Sequence, residues 1–197
     1  SGQTRYVPGK GTPALQKAIQ SKFSRDNNLK YGLDEIIVGV GGKHIIYNAM
    51  MATLNPDDEV IIPAPFWVSY PDIVLLAEGK PVIVECTESQ NFKITANQLE
   101  KNITEKTKWL MLNSPSNPTG AVYSTSELKE LAEVLLKYPQ VLIMSDDIYE
   151  KIIYDNLEFS TLASIEPKLK ERCLTLNGVS KAYCMTGWRL GYCGASK

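Results

Sequence analysis

Trp109-Leu110-Met111-Leu112-Asn113-Ser114-Pro115-Ser116-Asn117-Pro118-Thr119-Gly120 is the stretch on which the fold turns. An apolar run through Asn113 reads as a buried strand, and the Ser, Asn, Pro and Gly residues after it stop that strand in a turn. Ser124 and Glu127 then have capping-box spacing. Leu128, Leu131 and Leu135 follow on one helical face, and Val141 to Met144 is a second buried-strand run. Strand, polar loop, amphipathic helix and strand in succession predict a βαβ unit.

The same grammar extends in both directions. Thr12-Pro13 opens a helix, with Thr as N-cap and Pro in the first turn. Leu15, Ala18, Ile19 and Phe23 then fall on one helical face. Glu35 to Val40 reads as a strand, and Gly41-Gly42 leads into a helical run from His44 to Leu54. Glu59 to Ile62 is a strand, expected to stop at Pro63 and Pro65. A helix over Tyr70 to Ala77, a strand over Pro81 to Glu85 and a short helix over Thr95 to Lys101 follow. Cys173 to Leu176 and Arg189 to Gly194 are further strands. The prediction is one α/β domain over 1–197, a mostly parallel sheet flanked by helices. In such folds ligands gather where strands end and helices begin. Gly41-Gly42-Lys43, Asn113 to Gly120, Ser145 to Tyr149 and Gly178 to Lys181 all follow predicted strands, so one cleft can collect them.

Composition narrows the function. The 197 residues are 44% hydrophobic and 22% charged with a net charge of -1, which suits a globular domain. That balance suggests neither nucleic-acid nor membrane binding. No apolar run approaches the roughly 20 residues that span a bilayer, and no signal peptide is visible, so the expected location is cytoplasmic. The opening Ser1-Gly2-Gln3 reads as a cut boundary rather than a natural N-terminus. Cys86, Cys173, Cys184 and Cys193 form no CxxC pair, and His44 is the one histidine, so no metal site is expected and the thiols are read as reduced.

Three motif readings fail. Gly39-Val40-Gly41-Gly42 lacks the last glycine of a dinucleotide fingerprint, because position 44 is His44. A P-loop needs glycine where Ile37 stands. No GxSxG elbow is present, and a single histidine makes Ser-His-Asp catalysis a poor reading. His44, at a helix start, is read as structural or solvated.

Ser180-Lys181-Ala182-Tyr183-Cys184-Met185-Thr186-Gly187-Trp188-Arg189-Leu190-Gly191 carries the chemistry. It resembles the lysine signature of class I aminotransferases, which are fold-type I enzymes dependent on pyridoxal 5'-phosphate (PLP). Three further segments match in family order. Asn113 to Gly120 resembles the NPTG loop, Asp146-Asp147-Ile148-Tyr149 the Asp-x-x-Tyr strand end, and Ala64 to Tyr70 the aromatic clamp. Each alone is an ordinary turn, surface charge or core aromatic, and their joint order is what makes the resemblance specific. Cys184 is a slightly unusual residue for its place in the signature.

The resemblance implies roles. Lys181 would bind the cofactor aldehyde and later serve as the general base, in a pocket expected to be cationic and partly desolvated. Asp146 would keep the ring nitrogen protonated, since an opposite charge favours the charged form. Tyr149 and Asn117 would hydrogen-bond the ring oxygen, with Asn117 also reaching the substrate carboxylate. Trp67 would stack on the ring. Arg189, the backbone amides of Gly42 and Lys43, and the hydroxyl of Ser180 would hold the phosphate.

The nearest subgroup in resemblance is the prokaryote-type aspartate/prephenate aminotransferases, on Lys43 after Gly-Gly and on Met185 to Arg189. Lys43 would then face the distal carboxylate of a dicarboxylic substrate. The implied reaction takes aspartate and 2-oxoglutarate to oxaloacetate and glutamate, with prephenate as a further acceptor. Tyr6 resembles a tyrosine that reaches the phosphate in the neighbouring subunit, which implies a homodimer. The family chain extends past both ends of this one into a small domain holding the arginine for the substrate α-carboxylate, so an isolated 197-residue chain is expected to turn over poorly. Two alternatives stand beside this. One is another fold-type I PLP enzyme, such as an aromatic aminotransferase or a carbon–sulfur lyase. The other is a non-catalytic regulatory domain of the same fold.

Overall fold

The computed structural model describes Gly2 and residues 4–197. Its helices are α1 (Pro13–Asn27), α2 (Gly42–Thr53), α3 (Ser69–Leu76), α4 (Ala96–Asn102), α5 (Thr125–Lys137) and α6 (Leu162–Ile165). Its strands are β1 (Ile36–Val40), β2 (Glu59–Ala64), β3 (Lys80–Glu85), β4 (Thr107–Asn113), β5 (Leu142–Asp146), β6 (Cys173–Gly178) and β7 (Leu190–Gly194). These described strands form one sheet in the order β1-β7-β6-β5-β4-β2-β3. Strands β3 through β6 and β2 run parallel. β7 is antiparallel to both neighbours, pairing Ile36 with Gly194 on one side and Gly178 with Gly191 on the other. The sheet is therefore mostly parallel and helix-flanked, as the alternation predicts.

Strand alternation sorts the core into two layers. Ile61, Leu110 and Ile143 face Phe23 of α1, Leu99 of α4 and Leu128, Leu131 and Leu135 of α5. Val60, Ile62, Met111 and Met144 face Ile46 and Met50 of α2 and Ile73 and Val74 of α3. Each fully buried leucine of α5 is worth about 2–5 kcal/mol against truncation to alanine. The predicted caps form: Thr12 accepts from Leu15 N–H, and Ser124 and Glu127 close a capping box.

Local readings need three corrections. Ala18 is exposed, while Gln16, Lys22 and Asn27 share the buried face of α1 with Ile19 and Phe23. The polar members are matched: Gln16 donates to the carbonyls of Leu33 and Ile36, and Lys22 pairs with buried Glu150 at 2.5 Å. Second, α2 starts at Gly42, two residues before His44. Third, Pro63 does not stop β2. Glu59 N–H bonds toward β4, so the odd residues of β2 face that neighbour. The β4 pairing ends at Ile61, so the missing N–H of Pro63 interrupts no ladder bond. No described helix is long and apolar enough to cross a membrane.

Candidate active site

The loops after β4, β5 and β6 and the start of α2 open onto one cavity of about 270 Å³. Gly42, Lys43, Trp67, Asn117, Asp146, Tyr149, Ser180, Lys181 and Arg189 all line it, so nine of the ten predicted site residues are brought together. Tyr6 is the exception. It is fully exposed and lies outside the cavity wall.

Register builds the floor. Asn113 and Asp146 are paired neighbours at the ends of β4 and β5. Alternation then sends the two adjacent acids to opposite faces. Asp146 lines the cavity, whereas Asp147 turns away and accepts from Ser145 Oγ at 2.8 Å. The Asp146 carboxylate is buried, with Oδ2 accepting from Tyr70 Oη at 2.7 Å and Oδ1 from Ile148 N–H at 3.3 Å. Burial pushes its pKa up to about 6, and the Tyr70 and Ile148 hydrogen bonds oppose that rise. A carboxylate in such a place gains most from a cationic ligand group.

Another part of the cavity wall suits an anion. Helix α2 begins after Gly41 with no side-chain cap, so its first amides point outward unpaired by side chains. Gly41 has φ 79°, and a Cβ there would run into the Arg189 guanidinium. A Cβ on Gly191 would strike the Gly41-Gly42 backbone, so both glycines permit the approach of β7 to this turn. Arg189 itself adopts φ 51° and donates from Nη1 to Thr186 O at 2.9 Å, which aims the fork across Gly41. Ser180 is buried and lines the same cavity.

Trp67 adds a flat, half-buried wall to the same cavity. Tyr70 meets it edge-on, with centroids 5.4 Å apart, and Lys43 Nζ sits 4.8 Å from the Trp67 ring centroid. Lys181 Nζ lies 5.7 Å from the Tyr149 ring centroid. Lys181 is exposed in this chain. The described residues supply the cationic neighbours but no cover over this amine. His44 takes the structural role expected of it, with Nδ1 accepting from Val40 N–H.

Among the six wall residues that sequence reasoning left out are Tyr70 and Asn113. Both stand inside quoted motifs, but only the structure shows what they hold. Asn113 Oδ1 accepts from Asn117 N–H at 2.8 Å, and Tyr70 engages Asp146.

The whole chain, residues 1–197, matches the family described as aminotransferase class I and II. It is 63% identical over 196 residues to a probable aspartate/prephenate aminotransferase of Rickettsia bellii, covering 100% of this chain and 49% of that protein. Its structure resembles the aspartate aminotransferase of Rhizobium meliloti with a TM-score of 0.98 at 56% identity, over 99% of this chain and 49% of the other. The aspartate aminotransferase of Thermus thermophilus with maleate gives a TM-score of 0.93 at 42% identity, over 99% and 50%. The chain thus spans about half the length of the relatives it matches. With its cavity, its signature lysine and its fold in agreement with that match, the chain belongs to the class I and II aminotransferase family.

Proposed function

We propose that this chain is the large, PLP-binding domain of an aspartate-type aminotransferase. One observation carries the reading: a single cavity is lined by a buried carboxylate, an anion cradle and an exposed lysine amine. A ligand with a cationic ring nitrogen, an aldehyde and a phosphate fits that chemistry, and PLP is such a ligand.

Bound PLP would supply an electron sink for the charge that develops when a substrate Cα loses its proton. Asp146 would hold the ring nitrogen in its charged form. Trp67 would fix the ring plane, and Tyr149 and Asn117 would hydrogen-bond the ring oxygen. Arg189, Ser180 and the amides of Gly42 and Lys43 would bind the phosphate. Lys181 Nζ would hold the aldehyde carbon and, once released, move the proton away from the substrate Cα. Lys43 beside Trp67 is the cation placed for a distal carboxylate, and the maleate of the Thermus thermophilus relative is a dicarboxylate. Aspartate with 2-oxoglutarate, and prephenate as a further acceptor, follow as substrates.

The 197 residues are read as lacking the small domain and its α-carboxylate-binding arginine, in keeping with relatives twice as long. A homodimer, with Tyr6 reaching the partner's phosphate site, and a cytoplasmic location complete the proposal. The test adds PLP to the full protein and to its Lys181→Ala variant, followed by borohydride reduction and peptide mapping. A pyridoxyl label on Lys181 and an absorbance change on adding aspartate are expected. An unchanged PLP spectrum in Lys181→Ala, or a label on another lysine, would sink the assignment.

A further inference from the structure

We propose that Tyr70 is the positioning residue that aims Asp146, fixing which carboxylate oxygen the cavity receives. Its hydroxyl takes Oδ2 at 2.7 Å. Oδ1 is left with one long backbone contact, 3.3 Å from Ile148 N, and is the oxygen free for a ligand. Two donors therefore serve this carboxylate among the described residues, and one of them is a side chain. Tyr70 cannot swing away. It is buried in α3, and its ring is seated at 90° against Trp67, the wall on which a flat ligand would stack. One side chain thus sets the register between the stacking wall and the counter-charge.

The other charged or titratable groups around the cavity are Lys43 from α2, Tyr149 after β5, and Lys181 and Arg189 from the β6–β7 connection. None of them donates a hydrogen bond to the Asp146 carboxylate, and Asp147 faces the far side of the sheet. Replacing Tyr70 by Phe keeps the ring against Trp67 and removes only the hydroxyl.

The inference rests on the reading of Asp146 as partner of the PLP ring nitrogen, so the experiment has one arm without cofactor. In cofactor-free protein carrying carbon-13-labelled aspartate, the Asp146 carboxyl is assigned by its loss in Asp146→Asn and titrated by NMR. Tyr70→Phe should raise its proton affinity about tenfold, because a hydrogen bond to the charged form is gone. In the second arm, PLP affinity should fall about tenfold in Tyr70→Phe, and by less than twofold when the same change is made in an Asp146→Asn background. An unmoved titration, or equal losses of affinity in both backgrounds, would overturn the inference. A shifted titration in a protein that binds no PLP supports the control of Asp146 by Tyr70 and brings down the cofactor reading instead.

Discussion

Asn113 donates from Nδ2 to the Asp146 carbonyl oxygen across 2.8 Å, and so ties the end of β4 to the end of β5. With its other amide atom it accepts from Asn117 N–H, so a single side chain joins the polar loop to the residue that bears the buried charge. Asn113→Ala should leave Asn117 unaimed. The expected outcome in the full protein is a rise in KM for the dicarboxylic substrate of roughly 10-fold, given how steeply misplacement degrades a site, with about 1–3 kcal/mol of stability lost. Asn113→Asp keeps the acceptor for Asn117 and should recover most of the KM. Steady-state kinetics with both variants decide this, and equal KM values would show that Asn113 only braces the sheet.

The contact between Gly41 and Arg189 makes a second prediction. Gly41→Ala adds a Cβ where the guanidinium lies and places alanine at φ 79°. Strain of about 1–3 kcal/mol is expected at such a position. Displacement of Arg189 should lower affinity for PLP by tenfold or more while leaving pyridoxal, which has no phosphate, nearly unaffected. The ratio of the two affinities by equilibrium dialysis is the measurement, and an unchanged ratio would show that Arg189 does not serve the phosphate.

Asp146 gives a pH dependence whose sign follows from its raised pKa. The folded value is about 6 and the ordinary value 3.8, so the folded state holds this proton more tightly than the unfolded chain. That contribution to stability is complete below about pH 4 and is lost as pH rises through about 6. A shift of this size corresponds to about 3 kcal/mol. Cofactor-free Asp146→Asn should therefore exceed wild type in stability at pH 7.5, by an amount that closes toward pH 4. Urea midpoints across that range test it, and a pH-independent difference would show that the burial is relieved by other groups.

Lys181 stands exposed at the rim, and the cavity lacks a cover on that side among the described residues. The isolated 197-residue chain should bind PLP yet transaminate aspartate at least 100-fold more slowly than the full protein, since water exclusion and substrate orientation both fail. Robust turnover by the isolated chain would refute the domain assignment.

Much of this was legible because the chemistry is local. The strand ends and the loops after them bring Asp146, Asn117 and Lys181 to one cleft, and the resemblance of the lysine signature adds Arg189. Strand direction was not legible. A run such as Leu190 to Gly194 has the same pattern whether it lies parallel or antiparallel, and its place beside β1 depends on pairings at least 150 residues apart. The buried stripe of α1 was misread at Ala18 because Gln16, Lys22 and Asn27 look solvent-facing until their partners, such as Glu150, arrive from distant sequence. Tyr70 was quoted within its motif but given no role, because a hydroxyl says nothing of its acceptor 76 residues away.

The position of β7 also orders events in time. Among the described strands, β1 hydrogen-bonds only with β7, although every other strand precedes Leu190 in the chain. During synthesis, β2 through β6 can pair as they emerge, while β1 and the Gly41-Gly42 turn must wait for the last strand. Such a long-range closure is slow compared with local pairing. Arg189 arrives with that strand, so the anion cradle is assembled at the end of folding rather than at its start. A nascent chain that stalls before β7 would lack Arg189 and the docked Gly41-Gly42 turn, so on the proposed reading full grip on the cofactor phosphate would report that the sheet has closed.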